Sequence, residues 1–232
     1  MRKWFISFIV TGLFLLSMTT SQAFFDGIRL GDFPRTSQLY QSLKNIPSQS
    51  LNNIIVLPKK IFDQHEAAAI INRIAALPNS ILYNLYHQGI SLKLFTGKLT
   101  DNPTARQLAG QIPRGYQINT TWDDVPGIGG GKTVLVKIGF SEKGKGHGSV
   151  NLELHELAHS IDKYVFNNIS QTKVFKQVWE KEHDQLFSGN SYFLYPEEYF
   201  AETFAMFYLN DKTRNQLKLK APLTFKLISN LS

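Results

Sequence analysis

His155 and His159 stand four positions apart with Glu156 between them, in the stretch "NLELHELAHSID" from Asn151 to Asp162. On a helix, residues four apart project from one face, so both imidazoles can share one cation. Glu156 lies about 100° further round. There it can take a proton from a water activated by the cation, the chemistry of metal-assisted attack on a carbonyl. The bland alternative is a core helix with two satisfied histidines, and the flanking Leu152, Leu154, Leu157, Ala158 and Ile161 suit a buried helix in either case. A catalytic metal site also needs a third protein ligand and an open position. The remaining histidines (His65, His87, His147 and His183) include none six residues beyond His159.

Carboxylates offer the better third ligand. "YPEEYFAETFAMFYL", Tyr195 to Leu209, reads as a helix opened by Pro196, mainly apolar and apolar on one face. Glu198 and Glu202 share a face of it. Burying two carboxylates is costly unless they meet a cation or donors. One on the metal and one hydrogen-bonded to a ligating histidine satisfies both. Asp162, three residues past His159, can orient a histidine or cap a partner, and Glu197 by its phase suits a contact at the rim. Tyr192 and Tyr195, just before the glutamate helix, can each offer a phenol to an oxyanion.

Other segments must hold these two helices in place. "IIVLP" (Ile54 to Pro58) reads as a buried strand, and Asp63 with Glu66 as the capping box of an Ala-rich helix. A second helix fits Ser80 to His87, and "ISLKLF" (Ile90 to Phe95) alternates as a strand does. "DNPTARQLAG" reads as a short helix. "GIGGGK" lacks the spacing of a phosphate-binding loop and is read as a mobile hairpin or flap feeding the strand Thr133 to Phe140. Beyond it the pattern is helical, with breaks near Asn167 and between Gly189 and Pro196. Strands in the first half and helices in the second predict an α+β fold, a small, twisted, mostly antiparallel sheet packed on the active-site helix, with a helical C-terminal lobe.

Composition narrows the setting. The 232 residues suit one domain, and at 19% charged residues the chain is not a self-repelling disordered one. Residues 1–23 combine a basic start, an apolar run from Trp4 to Met18 and Ala23 before a cleavage point, the layout of a secretory signal; the run is short for a membrane span of about 20 residues. Its removal takes Arg2 and Lys3 and lowers the formal charge from +7 to +5. The lysines form no stripe, so nucleic acid is not expected as a partner, nor is stable membrane insertion once the signal is gone. With no cysteine, disulfides, thiol nucleophiles and thiolate ligands are excluded, as fits a secreted protein of a Gram-positive bacterium. The expected organisation is a signal at 1–23, a poorly ordered lead-in at 24–50, and a peptidase domain at 51–232 with lobes of about 51–150 and 151–232.

"NLELHELAHSID" and "YPEEYFAETFAMFYLN" together resemble the catalytic domain of anthrax lethal factor, and more closely the secreted bacterial Pro-Pro endopeptidases. That likeness runs from about Ile54 to the C-terminus and includes "GKLTD", "TWDDVPG" and "GFSEKGKGH". The resemblance implies one zinc per chain held by His155, His159 and Glu198, with Glu156 as general base and Glu202 supporting a ligand histidine. The family's oxyanion tyrosine stands seven residues before the ligand Glu, where this chain has Ser191. Tyr192, six before it, takes the role if one residue is deleted, with Tyr195 in reserve. Trp122 matches an aromatic lining the substrate cleft. Two residues before it a lysine that pairs with the Glu before the ligand is replaced by Thr120, which cannot form an ion pair with Glu197. The "GIGGGKT" turn, with Gly130, Lys132 and Thr133, departs from the family where it borders the substrate. Membership implies hydrolysis of Pro-Pro bonds in Pro-rich segments of secreted or cell-surface proteins, and the chain is expected to be a monomer. The rivals are a peptidase of the same scaffold with another specificity and an inactive binding module.

Overall fold

The computed structural model describes residues 26–113 and 120–231, so the expected signal segment lies outside the described residues. Its strands are β1 (Ile28–Arg29), β2 (Ile55–Leu57), β3 (Ser91–Phe95), β4 (Gly127–Ile128) and β5 (Thr133–Lys137). Its helices are α1 (Gln38–Gln41), α2 (Gln49–Ile54), α3 (Gln64–Ala75), α4 (Asn79–His87), α5 (Leu152–Ser160), α6 (Lys173–Phe187), α7 (Pro196–Leu209), α8 (Asp211–Lys220) and α9 (Pro222–Ser229). The α+β class is as expected. "DNPTARQLAG" forms no α-helix and instead contributes to two 3₁₀ turns, Leu99–Asp101 and Arg106–Leu108.

The five-stranded sheet has the order β1-β2-β3-β5-β4. Its central strands β2, β3 and β5 run parallel, and only the margins β1 and β4 pair antiparallel. The expectation of a mostly antiparallel sheet is therefore corrected to a mixed one. Helices α3 and α4 lie between β2 and β3 in the chain and supply the crossover that parallel neighbours need. Period-two alternation sends Leu92, Leu94, Val134 and Val136 into the main core, and Phe95 and Leu135 into a smaller cluster on the opposite face, under Trp122.

The lead-in is ordered where it is described, against the expectation for 24–50. β1 pairs with β2, Leu30 and Leu39 are fully buried, and the side chains of Gln64 and Asn72 accept the backbone N–H groups of Leu39 and Lys44 at 2.8 and 2.9 Å. One core runs from Leu30 to Ile228 through both expected lobes.

Two anchors hold the site helices. Glu153 of α5 is completely buried and hydrogen-bonds to Arg73 of α3, which also donates to Ser141 Oγ at 2.9 Å. On α7, Tyr199, Phe200 and Phe204 are fully buried. Truncating such a ring costs about 3–5 kcal/mol, so α7 cannot turn its acidic face away from α5 without losing that packing.

Candidate active site

Helix α5 starts where Asn151 Oδ1 accepts the Leu154 N–H at 3.0 Å, leaving the histidines in its middle and last turns. After Ser160 the helix widens into a π-helical turn, Ile161–Val165, and stops at Asn167 and Asn168, both in the left-handed region (φ 52° and 59°). Asn is among the few non-glycine residues that tolerate that conformation. Asp162 is buried in this turn, and its carboxylate accepts the Ser170 N–H at 2.9 Å and the Ser170 hydroxyl at 2.6 Å. Of its two expected roles it takes the capping one. Burial raises its carboxyl above the usual range against the pull of those two donors.

The two motifs meet between α5 and α7. His155 Nε2 and His159 Nε2 are 3.3 Å apart, and Glu198 Oε2 lies 3.4 Å from the first and 3.2 Å from the second. A cation bound tetrahedrally at about 2.0–2.1 Å from each donor separates its ligands by about 3.3 Å, so the triangle already has the size of one face of such a site. Two imidazole nitrogens and a carboxylate oxygen, with no thiolate, fit a divalent metal.

Glu202, one helical turn beyond Glu198, accepts from His155 Nδ1 at 3.0 Å through one oxygen and from the Val150 N–H at 2.9 Å through the other. With Nδ1 engaged by Glu202, Nε2 is the nitrogen that faces the triangle and is free to bind a cation once its proton is displaced. Burial would raise the Glu198 carboxyl, but the two imidazoles outweigh it and hold it well below the usual carboxylate range. Burial likewise disfavours a charged His155, yet Glu198 and Glu202 raise that imidazole to about 10. Glu156 is shifted upward by burial, opposed by the nearby imidazoles and the Gly129 N–H.

The cleft over the triangle has two halves, and Glu156 and Tyr192 line both. One, of about 680 Å³, is bordered by Thr120, Asp124, His147, Ser149, Asn190 and Phe193. The other, of about 560 Å³, is bordered by Trp122, Ile128, Gly130, Lys163, Gln171 and Glu197. Of the two candidate tyrosines, Tyr192 faces the cleft, while Tyr195 is 42% exposed and opens α7 through its carbonyl, which accepts the Glu198 N–H at 3.1 Å. Thr120 and Glu197 border different halves, and Glu197 accepts from Gln171 Nε2 at 3.4 Å.

The glycine turn forms the expected hairpin, with Gly127 and Ile128 opposite Val136 and Leu135. It is clamped rather than loose. Ser160 Oγ accepts the Gly130 N–H at 3.1 Å and donates to the Gly131 carbonyl at 2.8 Å. Lys132 and Thr133 do not join Gly130 in the cleft. They border a separate cavity with Ser91 and Lys93, because Thr133 already pairs with Ser91 and Lys132 Nζ turns to the Gln88 carbonyl.

Several cleft residues escaped assignment from sequence, His147, Gln171 and Lys163 among them. His147, within "GKGH", is pinned between the Phe140 carbonyl and Ser149 Oγ, both at 2.8 Å, and burial lowers its pKa. Its position just upstream of the motif was the available signal. Gln171 and Lys163 carried none.

Residues 42–231 match the family model described as anthrax toxin lethal factor, N- and C-terminal domain. The chain is 46% identical over 184 residues to a Pro-Pro endopeptidase of Clostridioides difficile, covering 79% of this chain and 83% of that protein. It is 42% identical over 183 residues to a Pro-Pro endopeptidase of Paenibacillus alvei, covering 78% and 84%. The solved structure of a Pro-Pro endopeptidase from Paenibacillus alvei superposes with a TM-score of 0.76 at 41% identity, covering 79% of this chain and all of that one.

Proposed function

We propose, from the premise that this chain belongs to the anthrax toxin lethal factor family and groups with the Pro-Pro endopeptidases, that it is a secreted zinc endopeptidase cleaving between two prolines in Pro-rich segments of secreted or cell-surface proteins. The observation that carries this reading is the donor triangle of His155, His159 and Glu198 at the floor of a cleft whose halves share Glu156 and Tyr192. Secretion rests on the signal layout of residues 1–23, and the enzyme is proposed to act as a monomer.

His155, His159 and Glu198 would hold the zinc. Bound there, zinc supplies Lewis-acid activation of a water and of the scissile carbonyl. Glu156 takes one proton as the water oxygen adds to the carbonyl carbon, its burial-raised pKa making it a better base. It returns the proton to the leaving nitrogen as the C–N bond breaks. That transfer is needed because the nitrogen cannot leave as an amide anion. Tyr192, facing both halves, donates its phenol to the developing oxyanion. A Pro-Pro segment is stiff and polyproline-like, with few N–H groups for strand pairing. Trp122, Ile128 and Phe193 offer the apolar walls that recognition by shape requires.

Digestion of a peptide library around a Pro-Pro core, read by mass spectrometry with and without a chelator, tests the reading. Cuts confined to Pro-Pro bonds and abolished by chelation are expected; cuts elsewhere overturn the specificity, and chelator-resistant cuts overturn the metal. Zinc binding should also release protons, because a His155 raised to about 10 is protonated at neutral pH without metal. Affinity is expected to rise with pH, by about tenfold per unit for one displaced proton. Calorimetry in two buffers of different ionisation enthalpy measures that release; a pH-independent affinity would contradict it.

A further inference from the structure

We infer that a basic corner formed by Lys163 and Lys132 around the Tyr164 ring selects an acidic side chain in the substrate, on the flank of the scissile bond that leaves the cleft over Gly130. The inference deepens the peptidase reading and rests on it. Lys163, on the π-helical turn after α5, is exposed and borders the Trp122 half of the cleft. Its Nζ lies 3.4 Å from the Gly130 carbonyl and 5.2 Å from the centre of the Tyr164 ring. Lys132, at the other end of the hairpin turn, sets its Nζ 4.1 Å over the same ring. One ammonium thus faces the cleft, and the other faces the adjoining cavity with Arg29 and Lys93.

Among the described residues, neither lysine lies within ion-pair distance of a carboxylate. The Ser160 clamp fixes the turn between them, so the corner is already built before a substrate arrives. A peptide leaving over Gly130 meets Lys163 directly, with Lys132, whose Nζ also donates to the Gln88 carbonyl, on the far side of the turn over the same Tyr164 ring. Glu197 borders the same half with the opposite sign, held toward Gln171. It opposes the lysines and supplies an internal control.

The test uses the whole protein with zinc and peptides carrying Glu, Gln or Lys at each of three positions on either side of a Pro-Pro core. At positions of one flank only, Glu is expected to exceed Gln about three- to tenfold in kcat/KM, through KM, shrinking as salt rises. K163E is expected to reverse the order to Lys over Gln over Glu there, K163R to keep it, and E197Q to strengthen the preference for Glu. No Glu preference in the unmodified enzyme overturns the inference, as does one that survives K163E. An equal slowing of all peptides by K163E also overturns it, because Lys163 then only holds the Gly130 turn. If the library is cut outside Pro-Pro bonds, the peptidase specificity fails, and the charge preference is scored around the bond that is cut.

Discussion

Glu156→Gln is expected to fold and bind zinc like the parent protein while losing about 10²–10⁴-fold in kcat. The amide matches the carboxylate in shape and can still accept the Gly129 N–H, but it cannot take a proton. His155, His159 and Glu198 are untouched, so metal content measured on the purified variant should be unchanged. Burial raises the Glu156 carboxyl, so a neutral amide there carries no desolvation penalty and the melting temperature should not fall. Turnover at the parental rate would remove Glu156 from the chemistry. Loss of metal together with activity would make it a structural support of the ligands.

Gly129→Ala should be nearly as damaging, by another route. A Cβ at this position would sit 1.9 Å from the Glu156 carbonyl oxygen and 2.7 Å from its carbon, both helix backbone atoms that cannot yield cheaply. The turn must lift off α5, breaking the two Ser160 hydrogen bonds and the contact of Glu156 with the Gly129 N–H. Overpacking of this kind costs about 1–3 kcal/mol, and a shift of about 1 Å in a positioned group can cost about 10²-fold in rate. Gly131→Ala is the control. Its Cβ would meet nothing nearer than 3.5 Å and its φ is not left-handed, so kcat/KM and melting temperature should barely move. Equal behaviour of the two variants would show that the close approach at Gly129 has no consequence.

The site was far more legible in the sequence than its frame. His155, His159, Glu198 and Glu202 declare themselves because helical spacing is local and apolar neighbours reveal which acids are buried. The glycines near residue 129 announce a hairpin for the same local reason, yet nothing in their run distinguishes Gly129 from Gly131. Only the distance to the Glu156 backbone does. The lead-in looked loose because its ties are remote: His65 meets Gln38 and Ser42, and Asn72 meets the Lys44 backbone. Strand direction was hidden similarly, since β2 and β3 become neighbours only after two intervening helices. Tyr192 and Tyr195 are three residues apart across a 3₁₀ turn, Ser191–Leu194, whose phase is not written in residue type.

The two-residue strand β1 has a role out of proportion to its length. It occupies the margin of β2, whose residues Ile55, Val56 and Leu57 are all buried. Stripped of β1, that apolar strand would present unpaired donors and acceptors to any passing chain, a template for edge-to-edge aggregation. Trimming of the N-terminus past Ile28 is therefore expected to yield self-associating material rather than a shorter enzyme. With β1 in place that edge of the sheet is closed, while the opposite margin, β4, borders the cleft through Gly127 and Ile128.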